Sequence, residues 1–304
     1  MTQEQFIKNL EVPNHSVDVV LDTDAYNEID DQFAIAYLLR SAEKMNTKAI
    51  YAAPFYNSKS TGPEDGMEKS YQEILNVLQL LGKQVDVFQG ARNYLPDEKN
   101  FVDSPAARDL VSRAEQYSSE NPLYVVAIGA ITNIASALIM DPNIAEKIVV
   151  VWLGGHCLHY PDTKEFNMWQ DVAAARVVMG SKVPFVQLPC MGVVSEFRIS
   201  GPELRQWMCG KGQIADYLAN NTISEVSLYV DSGIWTRVIW DVTAVAWLLN
   251  DDDRFMSSQV IKTKLPTYEG VYSEQSEAKM MRYVYQIDRD ALMRDLIEKL
   301  TQKN

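Results

Sequence analysis

Two runs near the middle of the chain, LYVVAIG (123–129) and KIVVVWLGG (147–155), are almost wholly apolar and rich in β-branched residues. Side chains alternate between the two faces of a strand, so a run without polar alternation must be covered on both. The signature recurs in VDVVLD (17–22), AIYAAPFY (49–56), VDVFQG (85–90) and VPFVQLP (183–189). Between these runs lie segments with apolar residues at helical spacing: DDQFAIAYLLRSAEK, MEKSYQEILNVLQLLG, SPAARDLVSRAEQYSS, TNIASALIMDP and DVAAARVVMG. Gly82 supplies a helix stop, Ser104 and Pro105 a helix start, and Asp141-Pro142 another stop. Such alternation predicts an α/β fold with a mostly parallel central sheet flanked by helices.

From about Ser200 the pattern shifts to helices, GPELRQWMCGKGQIADYLAN, ISEVSLYVDSG and WDVTAVAWLLN, which predict a C-terminal helical cap. YVYQID then reads as a strand and RDALMRDLIEKL as a closing helix. No repeat, low-complexity stretch or linker interrupts the chain. The expectation is one domain over 1–304, with 1–16 as an N-terminal extension. The segments NSKSTGPEDG and ARNYLPDEKNFVD read as long polar loops, of the kind found near sites.

The net charge of −13 argues against partners such as nucleic acid and anionic membrane surfaces. No run is apolar and long enough to span a bilayer, and MTQEQFIKNLEVPNHS lacks a signal-peptide core, so a cytoplasmic location is expected. Cys157, Cys190 and Cys209 form no CxxC pair and are odd in number, which predicts free thiols rather than a disulfide framework or zinc site.

Chemistry concentrates first in DTDAYNEIDD, which places Asp22, Asp24, Glu28, Asp30 and Asp31 at the end of the first apolar strand. Carboxylates crowded at a buried strand end repel one another and lose hydration unless a cation binds among them. Hard divalent ions favour such oxygen donors. A solvated loop capping the next helix is the plainer alternative. Three further groups follow in order. GAITNIASAL carries Gly129, Thr132 and Asn133, and its polar residues could merely cap a helix. KEFNMWQD offers Glu165, Asn167, Trp169 and Asp171, donors and acceptors suited to a polyhydroxylated ligand. Trp240 and Asp241 open a late apolar helix, where Asp241 could be a plain cap.

Taken together and in order, these motifs resemble the nucleoside hydrolase family, the inosine/uridine-preferring nucleoside N-ribohydrolases. The family patterns are DxDPGxDD, GPLTNIA, GG…AEFN and an HDP-type pair opening a helix. The resemblance spans Val17 to about Leu296. It implies metal-dependent hydrolysis of the N-glycosidic bond of a ribonucleoside or related N-riboside, within purine or pyrimidine metabolism. It implies one Ca²⁺ per subunit and a homodimer or homotetramer. By matching position, Asp24, Asp31, Thr132 (through its carbonyl) and Asp241 correspond to metal ligands. Asp24 also corresponds to the general base, and Asp22 to a supporting acid. Asp30, Asn57, Glu165 and Asn167 correspond to ribose contacts.

The chain departs from the family pattern in three places. The first loop has AYNEI where three residues are usual, which adds Tyr26, Asn27 and Glu28. Trp240 replaces the histidine before the last Asp, removing the usual acid for the leaving base. His159 stands where a sugar-contacting Asn is common, and with His156 is a candidate acid or substrate contact; both could equally be loop histidines. Tyr229, Trp235 and Trp240 are candidates for stacking on a base. Two other classes fit parts of the pattern: a non-catalytic nucleoside or ribose binder, and a haloacid-dehalogenase-type phosphatase. The latter also carries strand-DxD, but Tyr26 stands where it wants Thr or Val.

Overall fold

The computed structural model describes residues 1–273 and 279–302. Its strands are β1 (Val17–Thr23), β2 (Met45–Ala52), β3 (Asp86–Gln89), β4 (Leu123–Ala127), β5 (Ile148–Leu153), β6 (Phe185–Leu188), β7 (Arg198–Ser200), β8 (Thr236–Val238), β9 (Met256–Lys262), β10 (Leu265–Pro266), β11 (Tyr272–Ser273) and β12 (Met280–Ile287). The helices are α1 (Gln3–Lys8), α2 (Asp31–Leu39), α3 (Pro63–Leu81), α4 (Pro105–Ala114), α5 (Thr132–Met140), α6 (Phe166–Gln170), α7 (Val172–Gly180), α8 (Gly201–Trp207), α9 (Gln213–Ser227), α10 (Val242–Trp247) and α11 (Arg289–Thr301).

The main sheet runs β3-β2-β1-β4-β5-β6-β12-β9. Every pair in it is parallel except β12 with β9. The apolar runs divide between its two faces as their lack of alternation requires. Val19 and Leu21 of β1 and Val149, Val151 and Leu153 of β5 enter one core. Val20, Val150 and Trp152 enter the other. Each such buried side chain contributes roughly 1.5–3 kcal/mol, so a charge placed at Val150 or Leu21 would break the sheet.

Local signals account for the helix ends. The Ser104 hydroxyl accepts from Ala107 N and starts α4. Gly82 adopts φ +62° and ends α3, a conformation costly for any side chain. α2 stops at Leu39, short of the expected Lys44, with Ser41 Oγ donating to Tyr37 O. The segment GPELRQWMCGKGQIADYLAN is two helices, because Gly210 and Gly212 take φ +76° and +135° between them. β9 was not evident in the sequence: MSSQVIK lies at the sheet edge, partly exposed, and lacks the apolar run of a central strand.

This topology positions the site. After β1 the chain moves to β2 on one side, whereas β4 pairs with β1 on the other. The carboxyl ends of β1 and β4 therefore flank the point where strand order reverses, the place where open α/β sheets bind ligands. The acid-bearing segment 22–31 and the segment 128–133, which carries Thr132 and Asn133, both emerge there.

Candidate active site

Asp22 and Asp24 leave β1 fully buried, and Asp30 and Asp31 begin α2, also buried. Asp241 starts α10 and is 4% exposed. Asp30 and Asp241 occupy N-cap positions, yet neither side chain makes a capping hydrogen bond. Their carboxylates turn toward Asp31 instead, and oxygens of Asp30, Asp31 and Asp241 lie within 4.8 Å of one another. The capping alternative for Asp241 therefore fails on geometry. Asp31 is steadied by the Thr23 hydroxyl, which donates to its Oδ1.

The electrostatics of this cluster are unfavourable without a counter-charge. Burial pushes Asp22 up to about 7, partly offset by Asn133. Burial, with smaller opposing help from Thr23 and Asp241, brings Asp31 to about 7. Asp24 is raised first by burial and then by the charges of Asp31, Asp30 and Glu28. Burial and its acidic neighbours also raise Asp30 and Asp241. Asp24 Oδ2 and Asp22 Oδ2 are buried with no hydrogen-bond partner. An all-oxygen donor set with orphaned carboxylate atoms fits a hard divalent cation.

The surrounding framework is built to hold these acids. Gly129, past the end of β4, lets the chain approach closely: a Cβ there would stand 3.1 Å from the Asp24 carboxylate carbon. Asn133 does not cap α5. Its Nδ2 donates to Asp22 Oδ1 (2.7 Å) and Ala52 O (3.2 Å), and its Oδ1 accepts from Ala91 N (2.7 Å). One side chain thus ties together the ends of β1, β2 and β3. The Thr132 hydroxyl donates to Asp171 Oδ2 at 2.7 Å, and Asp171 also caps α7 through Ala174 N.

A cavity of about 170 Å³ opens beside the acids. Of the residues singled out from sequence, Asp24, Asp30, Glu165, Asn167, Trp240 and Asp241 line it. Asp22, Asp31, Asn57, Thr132 and His159 are not part of the lining. Asn57 reaches it indirectly, donating from Nδ2 to Oδ1 of the lining residue Asn27 at 2.6 Å. His159 packs with Nε2 3.4 Å from Cys157 Sγ, while His156 lines the cavity. Glu165 is engaged by the backbone amides of Gly155, Asn167 and Met168. The Asn167 amide donates to Ile128 O and Leu153 O, so this pair shapes the wall as well as facing inward. Tyr229 is 60% exposed and also lies off the lining.

The widened turn is ordered by its own contacts. Asn27 N donates to Asp24 O (2.7 Å), and Gln32 Nε2 donates to Ala25 O (2.7 Å). Glu28, which sequence left unassigned, lines the cavity and pairs with Arg237 at 2.6 Å. Arg237 lies on β8, beyond the reach of any motif in the sequence, and lowers Asp30 by its charge. Its signal was absent because a lone Arg in TRVIWD resembles any exposed strand residue.

Against this geometry the sequence matches the model described as inosine-uridine preferring nucleoside hydrolase over residues 19–294. The chain belongs to that family. It is a nucleoside N-ribohydrolase by membership. Among curated relatives it is 26% identical over 214 residues to the pyrimidine-specific ribonucleoside hydrolase RihB of Escherichia coli O9:H4 (strain HS), covering 61% of this chain and 67% of that one. Among solved structures, a plant nucleoside hydrolase superposes with a TM-score of 0.74 at 18% identity, covering 94% of this chain and 99% of the other. A purine-preferring ribonucleoside hydrolase from Gardnerella vaginalis also gives 0.74, at 20% identity, with 93% and 98% covered. These superpositions bear out the α/β architecture with a mostly parallel sheet. Among the described residues no helix is long and apolar enough to cross a membrane.

Proposed function

We propose that this hydrolase breaks the N-glycosidic bond of a ribonucleoside or closely related N-riboside in a divalent-cation-dependent reaction, with Ca²⁺ as the ion. The observation carrying this reading is the convergence of Asp30, Asp31 and Asp241 on one point, with the charges of Asp30 and Asp31 acting on Asp24, whose buried Oδ2 has no partner. Asp24, Asp31 and Asp241, with the Thr132 carbonyl, are the proposed cation ligands, and the position of Asp30 within 4.8 Å makes it a further donor as well as a sugar contact. When bound, the cation supplies charge neutralisation and Lewis acidity toward water and a vicinal diol.

The protein's own groups supply the remainder. Asp24, its carboxyl raised by burial and neighbouring acids, takes the proton of the attacking water. Cleavage passes through an oxocarbenium-like state, and the carboxylates of Asp24, Asp30 and Asp241 on the cavity wall favour that positive charge. Glu165 and Asn167 fix the sugar against the wall they build. Trp240 faces the cavity and offers an aromatic surface to the departing base. Asp22 supports the loop through Asn133.

A reducing-sugar assay over a panel of purine and pyrimidine nucleosides, with chelator and with Ca²⁺ restored, tests the proposal. Turnover that appears only with the cation and is lost in Asp24→Ala supports it. Full turnover in Asp24→Ala, or in chelator, overturns it.

A further inference from the structure

We infer that His156 is a specificity-determining residue, donating Nε2–H to the 5′-oxygen of the substrate's ribosyl group. The inference rests on the hydrolase reading above and gives one role to a histidine that the sequence left between acid, substrate contact and loop residue.

Side-chain donors on the Glu165 wall of the cavity are few: Asn27 and Trp240 also line it, but from the acidic turn and from beside Asp241. The carboxylates of Asp24, Asp30, Glu165 and Asp241 face the cavity and, when ionised, only accept hydrogen bonds. The amide of Asn167 spends its N–H groups on Ile128 O (3.2 Å) and Leu153 O (3.0 Å). A sugar hydroxyl needs a donor as well as an acceptor. His156 supplies one. Its Nδ1 accepts from Met191 N at 3.4 Å, which places the proton of the neutral ring on Nε2. Among the described residues Nε2 has no partner of its own. Burial also lowers His156 below its ordinary value, which keeps the ring neutral and the tautomer fixed near neutral pH. Tyr160 packs against the ring with centroids 4.3 Å apart and limits its swing.

His156 follows β5 and Met191 follows β6, whereas the acidic loop follows β1, two strands away in the sheet. Adjacent strands are ~4.8 Å apart, so the two walls are separated by about 10 Å. The charge that acts on His156 is that of Asp162, not an acid of the cluster. The amide next to His156, Gly155 N, donates to Glu165 at 2.8 Å, so His156 and Glu165 share one wall. A ribosyl group has three hydroxyls. If the acid cluster and its cation hold the vicinal pair, the 5′-hydroxyl is the one left for the opposite wall. There Glu165 accepts its proton and His156 donates to its oxygen.

The test compares each nucleoside that is turned over with its 5′-deoxy analogue, in wild type, His156→Phe and His156→Gln. His156→Phe keeps a ring against Tyr160 but has no donor; His156→Gln restores an N–H. Losing one hydrogen bond inside a cavity changes specificity by roughly 10- to 100-fold. Wild type is expected to prefer the hydroxylated substrate by about that factor in kcat/KM. In His156→Phe the preference falls to within about threefold, and Gln recovers part of it. Because each ratio is internal to one variant, partial misfolding cancels.

A loss shared equally by both substrates overturns the inference, since a group acting on the leaving base or on folding would produce it. An unchanged preference overturns it too. If wild type turns over no nucleoside, the hydrolase reading has failed separately. The same ratios measured as calorimetric Kd values for adenosine and 5′-deoxyadenosine then decide on His156 by the same criterion.

Discussion

Raising the pH in the presence of a chelator is expected to destabilise this protein. Burial places the Asp22 carboxyl at about 7 in the fold, with Asn133 as its hydrogen-bond partner. In the unfolded chain it returns to about 3.9. Between these two values the fold holds a proton that the unfolded chain has released. The contribution of this group is therefore fully present below about 3.9, is lost progressively as pH rises to the folded value, and levels off above it. A difference of roughly three units, at about 1.4 kcal/mol each, gives ~4 kcal/mol for this group alone. Asp31, also brought to about 7, acts in the same direction, as do Asp24, Asp30 and Asp241. Urea unfolding followed by tryptophan fluorescence, at about pH 5.5 and about pH 8 with chelator, reads this slope. Ca²⁺ at one fixed concentration, a hundredfold above its Kd at about pH 8, should restore ~2.7 kcal/mol there. The restoration should be larger at the higher pH, because ligating carboxylates must lose their protons. Asp22→Asn keeps an acceptor for Asn133 and should remove the part of the Asp22 share that falls between these two pH values, about 1.5 units or ~2 kcal/mol. A stability that is flat or rises with pH in chelator refutes the reasoning.

Gly129→Ala would set a methyl 3.1 Å from the Asp24 carboxylate carbon, with Ala53 Cβ 3.1 Å away on another side. Turnover should fall by ~10-fold or more, because displacements of ~1 Å at reacting groups cost up to ~100-fold; steady-state kinetics beside a thermal melt separates this from unfolding. Asn133→Ala orphans Asp22 Oδ1 and Ala91 N together. It should cost roughly 2–5 kcal/mol in chemical denaturation, and an unchanged midpoint would count against the cross-brace. Arg237→Ala removes the positive charge that lowers Asp30. Cation affinity, titrated by calorimetry, should rise by about 3- to 10-fold at low salt, whereas a weaker affinity would show that Arg237 mainly positions Glu28.

The sheet was legible because its strands are buried on both faces. A run such as IVVVWL has no amphipathic alternative, so existence and type followed from composition alone. The acids were legible because so many carboxylates at a strand end have few structural uses. Edges and orientations were harder. β9 hides because an edge strand mixes polar and apolar residues. His156 and His159 share one loop, and only the coordinates place the former at the cavity. Asn57 was expected to face the sugar itself; it acts on Asn27 instead, within a turn whose path no spacing predicts. Asp30 joins the Asp31–Asp241 group because α2 presents it uncapped, a matter of backbone direction rather than residue type.

The convergence of Asp31 with Asp241 has a consequence for biogenesis. Asp31, at the start of α2, is synthesised early, and its partner Asp241, at the start of α10, only after most of the sheet. Until α10 docks against α2, the early carboxylates have an incomplete donor set and remain hydrated, which keeps them from closing prematurely into the core. On the proposed cation site, tight binding is thus expected only of a finished fold. A nascent or truncated chain lacking α10 should be silent to the ion, so cation uptake can serve as a clock for the last step of assembly.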